Sequence, residues 1–265
     1  MDKAIEYLLL QEISLLNFPF NIQIGTTSFL LHPVAETLGI FIGFRYFIYQ
    51  RKKKGDLINN SNRVWIVIGA LFGSLLGSRI IGGLENITAL TQADNMLLHF
   101  YQNKTVLGGL LGGIAGVELI KIWIGEKNAS GDLFVFPFML ALIIGRIGCF
   151  SMGIYEETYG TVTSSLTGMN LGDGLRRHPV TLYEILFLVL LWIALKKTAC
   201  RIEFANGAMF KLFMIAYFFF RFMLDFIKPH FTFNIGLSTI QLTCIAGLLW
   251  YIRYIIQPKK LMRSA

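Results

Sequence analysis

The chain has 265 residues, 54% hydrophobic and 15% charged, with a formal net charge of +8. Soluble domains carry about 25% charged residues, so the composition argues against a soluble fold and for the bilayer as solvent. Nucleic acid is excluded as a partner, because the positive charge sits in short clusters between apolar runs, such as Arg51-Lys52-Lys53-Lys54 and Lys196-Lys197, the pattern of membrane-orientation signals.

Seven apolar segments follow one another: 29–50, 64–84, 105–124, 133–152, 179–198, 208–228 and 235–256. Each has roughly the 20 residues that a helix needs to cross a bilayer core. Helices are expected, because an open sheet would leave backbone groups unpaired in lipid. The expectation is an all-α integral membrane protein of about seven spans, forming a single transmembrane domain over 1–265. The chain start is not expected to be a signal peptide, because it lacks a basic start, with Asp2 and Glu6 beside Lys3, and a small-residue cleavage site. The first apolar run holds Glu36 and Arg45 and reads as a retained span.

Basic residues orient the set. Loops 51–63, 121–132 and 197–207, with Lys259, Lys260 and Arg263 of the tail, all fall on one side, which should be the cytoplasm. The N-terminus is then outside and the C-terminus inside. Lys104, Arg176 and Arg177 break this rule on the outer side and call for a functional reason.

Glycines recur every four residues in the second segment (Gly69, Gly73, Gly77) and in the third (Gly108, Gly112, Gly116). That spacing lets helix backbones approach closely. Gly108 and Gly109 open the third segment, where bare backbone offers contact to a ligand headgroup.

Candidate chemistry comes from arginines inside apolar sequence. Arg79, Arg146 and Arg221 each lie toward the outer end of a span, where an arginine costs several kcal/mol without a partner. Structural ion pairs with Glu85, Glu118, Glu184 or Asp225 are one reading; a buried cationic pocket for a lipid phosphate is the other. His32-Pro33 and His178-Pro179 open two spans, and helix N-termini attract anions. Cys149, Cys200 and Cys244 are far apart and lack CxxC spacing, so neither a zinc site nor a disulfide framework is expected. No cofactor is expected.

These residues, taken in order, resemble the prolipoprotein diacylglyceryl transferase family. The similar segments are His32-Pro33, Gly77-Ser78-Arg79, Gly108-Gly109-Leu110, Gly145-Arg146-Ile147-Gly148 with Gly160 after it, Arg177-His178-Pro179 with Tyr183-Glu184, Tyr217 with Arg221-Phe222 and Asp225, and Gln241. The resemblance implies a seven-span bundle in the bacterial cytoplasmic membrane. It implies transfer of diacylglycerol from phosphatidylglycerol to the lipobox cysteine of a preprolipoprotein signal peptide. Arg146 and Arg221 would then hold the headgroup and the leaving phosphate, Tyr217 would position it, and His178 and Glu184 would shape the outer mouth. His32, Arg79, Lys104, Gly108, Gly109, Gly160, Arg177, Tyr183 and Gln241 complete the expected substrate-binding set.

The sequence departs from the family pattern at three places. Leu107 stands where the family has a histidine, Val34 replaces the tyrosine after His-Pro, and Cys149-Phe150-Ser151-Met152-Gly153 replaces an asparagine-containing stretch. The group that accepts the thiol proton is thus open among His32, His178, Glu36 and Glu157. Two other functions stand beside the transferase: a related membrane enzyme with another acceptor, and a lipid-binding or transport protein. Transport is disfavoured because no matching halves with broken helices are seen.

Overall fold

The computed structural model describes residues 17–229 and 231–262; the chain start and Arg263 lie outside the described residues. A hairpin of β1 (Asn21–Ile24) and β2 (Thr27–Leu30) leads into helix α1 (Leu31–Lys54). Then come α2 (Asn60–Gly83), two short helices α3 (Ile87–Thr91) and α4 (Met96–Gln102), α5 (Val106–Ile124) and α6 (Val135–Met152). A long excursion carries the two-residue strands β3 (Met169–Asn170) and β4 (Arg176–Arg177). The chain ends in α7 (Val180–Ala199), α8 (Ala208–Asp225), α9 (Thr239–Trp250) and α10 (Ile252–Ile256).

Helices occupy the positions of the seven apolar segments, and their ends follow local chemistry. Phe29 and Leu30, counted above with the first segment, belong to β2 instead, while the basic run extends α1 to Lys54 before Gly55 turns the chain at φ +77°. Helix α2 begins at Asn60, because the Asn59 side chain accepts from the Asn62 N–H and caps it. The last segment begins late, at Thr239, behind a capping box of Ser238 and Gln241, and it breaks at Tyr251. The 85–104 connection holds α3 and α4, capped by Asn86 and Asn95.

Three helical stretches are long and apolar enough to cross a membrane: Asn60–Gly83, Val106–Ile124 and Asp132–Tyr155. Helix α2 leaves Leu71, Phe72, Leu75 and Leu76 exposed. In water that stripe would be unfavourable; facing lipid tails it costs nothing. The molecule is a mostly helical membrane protein.

The chain divides into two compact units. The first comprises residues up to Ile48, Phe136–Ala194 and Ile227–Pro229. Here α1 and α6 approach through small residues. A Cβ on Gly39 would lie 2.9 Å from the Ala141 carbonyl oxygen, and one on Gly148 would lie 2.9 Å from the Ala35 Cβ. Trp192 packs on both Tyr46 and Phe136 in the same unit.

The second unit comprises Tyr49–Val135, Leu195–Phe226 and the residues from 231 onward. Its centre is the α2–α5 pair, in which the two glycine rows face each other. A Cβ at Gly73 would sit 2.1 Å from the Gly112 oxygen, and one at Gly108 would sit 2.3 Å from the Gly77 oxygen. Gly109 differs: its nearest neighbours would be 3.6 Å away, at ordinary contact distance. Gly108→Ala is therefore expected to destabilise the folded protein by about 1–3 kcal/mol, as overpacking does, whereas Gly109→Ala should leave stability within about 0.5 kcal/mol. Thermal unfolding in detergent separates the two.

The basic loop after α1 is tied down in the same unit. Asp56 pairs with Arg63 (2.5 Å) and with Arg51 (2.7 Å), and Arg63 also donates to the Ser130 carbonyl at 3.0 Å. Burial alone would raise the Asp56 carboxyl, but the Arg63 hydrogen bond, the Ile58 N–H and Arg51 together hold it below the usual carboxylate range. A depressed carboxyl adds stability above its unfolded pKa of about 3.9. That contribution is expected to fade as pH falls below about 4, and Asp56→Asn should flatten this part of a stability–pH curve. A carboxylate serves a second end in this unit: Asp132 accepts from the Gly207 and Phe210 N–H groups (2.7 and 2.9 Å) at the start of α8, where negative charge is favoured.

Candidate active site

In the first unit Arg146 is 8% exposed, near the end of α6. Its Nε lies 2.9 Å from Glu184 Oε1, and Glu184 is 2% exposed on α7. The pair resolves the cost of an arginine in apolar sequence, since each charge compensates the other. Its Nη1 lies 3.6 Å from Cys149 Sγ, one helical turn on.

The excursion after α6 supplies the next layer. His178 Nδ1 lies 3.1 Å from the Tyr183 hydroxyl, which shares a 2.6 Å hydrogen bond with Thr167. Backbone bonds fix the His178 backbone: its N–H donates to the Thr161 carbonyl, and its carbonyl accepts from the Gly160 N–H. Gly160 is glycine for a steric reason, because a Cβ there would lie 2.6 Å from the His178 Cβ. Arg177 donates to Asp173 at 2.7 Å and lies over the Tyr159 ring. Burial alone would raise the Asp173 carboxyl, but the Arg177 hydrogen bond, the Leu175 N–H and the Arg177 charge together hold it low. The structure thus uses Gly160 and Arg177 to hold the excursion in shape around His178.

His32, in the first turn of α1, has a carboxylate on either side. Its Nε2 is 3.4 Å from Glu36 Oε1 and its Nδ1 is 3.2 Å from Glu156 Oε2. Cys149 joins this group: donor atoms of His32, Cys149 and Glu156 all lie within 4.8 Å of one another.

The remaining expected residues belong to the second unit. Tyr217, Arg221 and Asp225 repeat every four residues along α8 and form one buried stripe, at 0%, 6% and 1% exposure. Phe213 extends the stripe by one turn and stacks on Tyr217. Asp225 accepts from the Ser238 hydroxyl, and the Ser238 N–H donates to Gln241 Oε1 at 2.9 Å. Gln241 is completely buried, and its Nε2 has no hydrogen-bond partner among the described residues. Arg79 lies over the Tyr101 ring and donates to the Tyr101 carbonyl, so α4 holds it. Lys104 is exposed, just before α5. Gly108 is buried against Gly77, and Leu107 beside it is also fully buried.

The expected set therefore falls into two groups: Arg146, Glu184, His178, Tyr183, Gly160, Arg177 and His32 in one unit, and Tyr217, Arg221, Gln241, Arg79, Lys104, Gly108 and Gly109 in the other. Spacing alone gave no sign of Glu156 as a partner of His32, and Asp173 stands four residues before Arg177 but outside any helix, where that spacing predicts no contact.

A buried arginine paired with a buried carboxylate, in a helix long enough to span lipid, fits a membrane protein. The particular family follows from comparison with known proteins. A family model described as prolipoprotein diacylglyceryl transferase matches residues 19–257, and the chain belongs to that family, whose members are membrane transferases. Among its relatives, the phosphatidylglycerol–prolipoprotein diacylglyceryl transferase of Actinobacillus pleuropneumoniae serotype 3 (strain JL03) is 28% identical over 234 residues, 79% of this chain and 80% of that protein. The enzyme of the same name from Aliivibrio salmonicida (strain LFI1238) is 29% identical over 80% of this chain and 77% of its own length. That of Campylobacter hominis is 25% identical over 80% and 79%.

Proposed function

We propose that this protein moves diacylglycerol from phosphatidylglycerol to the lipobox cysteine thiol of a preprolipoprotein, at the outer face of the bacterial cytoplasmic membrane. The family match over residues 19–257 carries the reading, and the burial of Arg146 and Arg221 in apolar helices supports it. The chain is read as one domain of seven spans, with its N-terminus outside and its C-terminus in the cytoplasm, as the basic loops suggest.

In the reaction the acceptor sulfur, deprotonated to the thiolate, attacks the glycerol carbon that bears the phosphate ester. A C–S bond forms, the C–O bond breaks, and the electron pair leaves with glycerol phosphate. Negative charge grows on the departing phosphate, and preorganised guanidinium groups in a dry site stabilise it far better than water-exposed ones. Arg146 and Arg221 take this role, with Tyr217 positioning the headgroup. Gln241 Nε2, a buried donor with no partner among the described residues, offers a further hydrogen bond. His178, Tyr183 and Glu184 shape the mouth. Arg79 and Lys104 attract the anionic lipid, and Gly108 and Gly109 lie near the start of the helix that follows Lys104.

A specific observation favours a second reading, transfer to another acceptor: Leu107, at the family's histidine position, is fully buried and has no proton chemistry. Complementation of a transferase-depleted strain tests the two. Rescue with restored lipoprotein modification supports the first; membrane insertion without rescue favours the second.

A further inference from the structure

We propose that His32, Cys149 and Glu156 form a binding site for a zinc-type divalent cation. The three residues come from α1, from the end of α6 and from the loop after it, and they offer one nitrogen, one sulfur and one oxygen ligand within 4.8 Å of one another. Zinc takes cysteine sulfur, histidine nitrogen and carboxylate oxygen as ligands, at about 2.0–2.3 Å from the ion. A tetrahedral ion with such bonds separates its ligand atoms by about 3.3–3.8 Å. His32 Nδ1 and Glu156 Oε2 already stand 3.2 Å apart, and the 4.8 Å bound on the group exceeds the coordinated range by about 1 Å, so side-chain movements of at most about that size close the site.

The hydrogen-bonding pattern points the same way. His32 Nδ1 and Glu156 Oε2 are both buried and make no hydrogen bond among the described residues. Glu36 faces the other ring nitrogen at 3.4 Å. If Nε2 carries the proton toward Glu36, Nδ1 presents a bare lone pair to Glu156 and Cys149. A carboxylate behind a ligating histidine is the usual outer-sphere partner that fixes its tautomer. Two lone pairs facing each other in a buried place need a positive charge between them, either a proton or a metal ion. The adjacent sulfur favours the metal, since thiolate is a soft ligand. Arg146, with Nη1 at 3.6 Å from Cys149 Sγ, supplies a donor to the coordinated thiolate.

Three protein ligands leave a fourth position open, as catalytic zinc sites do. Here the inference rests on the proposed transfer to a thiol. The open position binds the acceptor cysteine, whose proton passes to water on coordination, because a metal-bound thiol is deprotonated. The metal-held thiolate then attacks the glycerol carbon as above, and the thioether product leaves the metal. The metal thereby does the work of the histidine replaced by Leu107.

The test uses untagged full-length protein in detergent, stripped with a chelator and titrated with Co2+. One ion per chain and a sulfur-to-cobalt charge-transfer band are expected. The band should persist in Cys200→Ser/Cys244→Ser, disappear in Cys149→Ser, and require roughly tenfold or more Co2+ in Glu156→Gln or His32→Gln. Absence of the band, or its survival in Cys149→Ser, would overturn the site and leave a proton as the bridge. The same preparations are given phosphatidylglycerol and a lipobox peptide, with and without Zn2+. Loss of transfer on stripping and its return with Zn2+ support the thiol role. Equal transfer in both overturns that role alone. Cobalt binding as described with no transfer in either overturns the proposed activity and leaves the metal site standing.

Discussion

Replacing Arg146 or Arg221 by alanine should lower diacylglyceryl transfer to a lipobox peptide by at least about 100-fold, the effect of removing one group that stabilises developing negative charge. Both residues are at most 8% exposed, so water cannot readily take their place around a phosphate. Lysine keeps the charge but loses the planar fork that matches phosphate oxygens. Arg146→Lys and Arg221→Lys should therefore recover only part of the activity. Because Arg146 also anchors Glu184, each variant must first elute as a folded monodisperse species in detergent. Wild-type turnover by both alanine variants would remove the arginines from the reaction.

Glu184→Ala is expected to give the largest loss of stability, about 3–5 kcal/mol, by leaving a buried guanidinium without its counter-charge. The pair is buried on both sides and separated by 2.9 Å. Replacing both partners by apolar residues, as in Arg146→Leu/Glu184→Leu, should restore much of that loss, since an apolar pair avoids the desolvation penalty of two charges. Thermal unfolding of the two single variants and the double variant reads this directly. A Glu184→Ala protein as stable as the parent would mean that the ion pair contributes nothing to the fold.

The helices were legible because a bilayer demands long apolar runs, and those runs stand out in any sequence. The four-residue glycine spacing likewise announced close packing, and Gly73 against Gly112 is its clearest instance. The hairpin at residues 21–30 was not read; its cues were local ones, the alternation of Ile22 and Ile24 and the turn at Gly25 with φ +62°. Helices α3 and α4 lie between the apolar segments and are too short to stand out in the sequence, although Asn86 and Asn95 are ordinary N-cap residues.

Side-chain partnerships were harder to read, because they depend on elements far apart in sequence. Arg146 and Glu184 are both visible as unusual charges, and Glu184 stood among several acidic candidates; only the fold selects it. Arg177 looked like a ligand-facing charge in a loop that should lack one, yet Asp173, four residues away, engages it. Gly108 shows the limit most sharply. Its position at a helix start suggested a headgroup contact, while the backbone of Gly77 fills the space beside it. The His32–Cys149–Glu156 group carries no recognisable spacing, since His32 lies far before the other two in the chain and meets them only through α1, α6 and the loop beyond.

The most direct measurement is a mass spectrum of a lipobox peptide after incubation with the purified protein and phosphatidylglycerol. The proposed activity predicts a mass gain of one diacylglyceryl group on the cysteine sulfur, with glycerol phosphate released in equal amount. An unmodified peptide, from folded protein supplied with lipid and Zn2+, would contradict it.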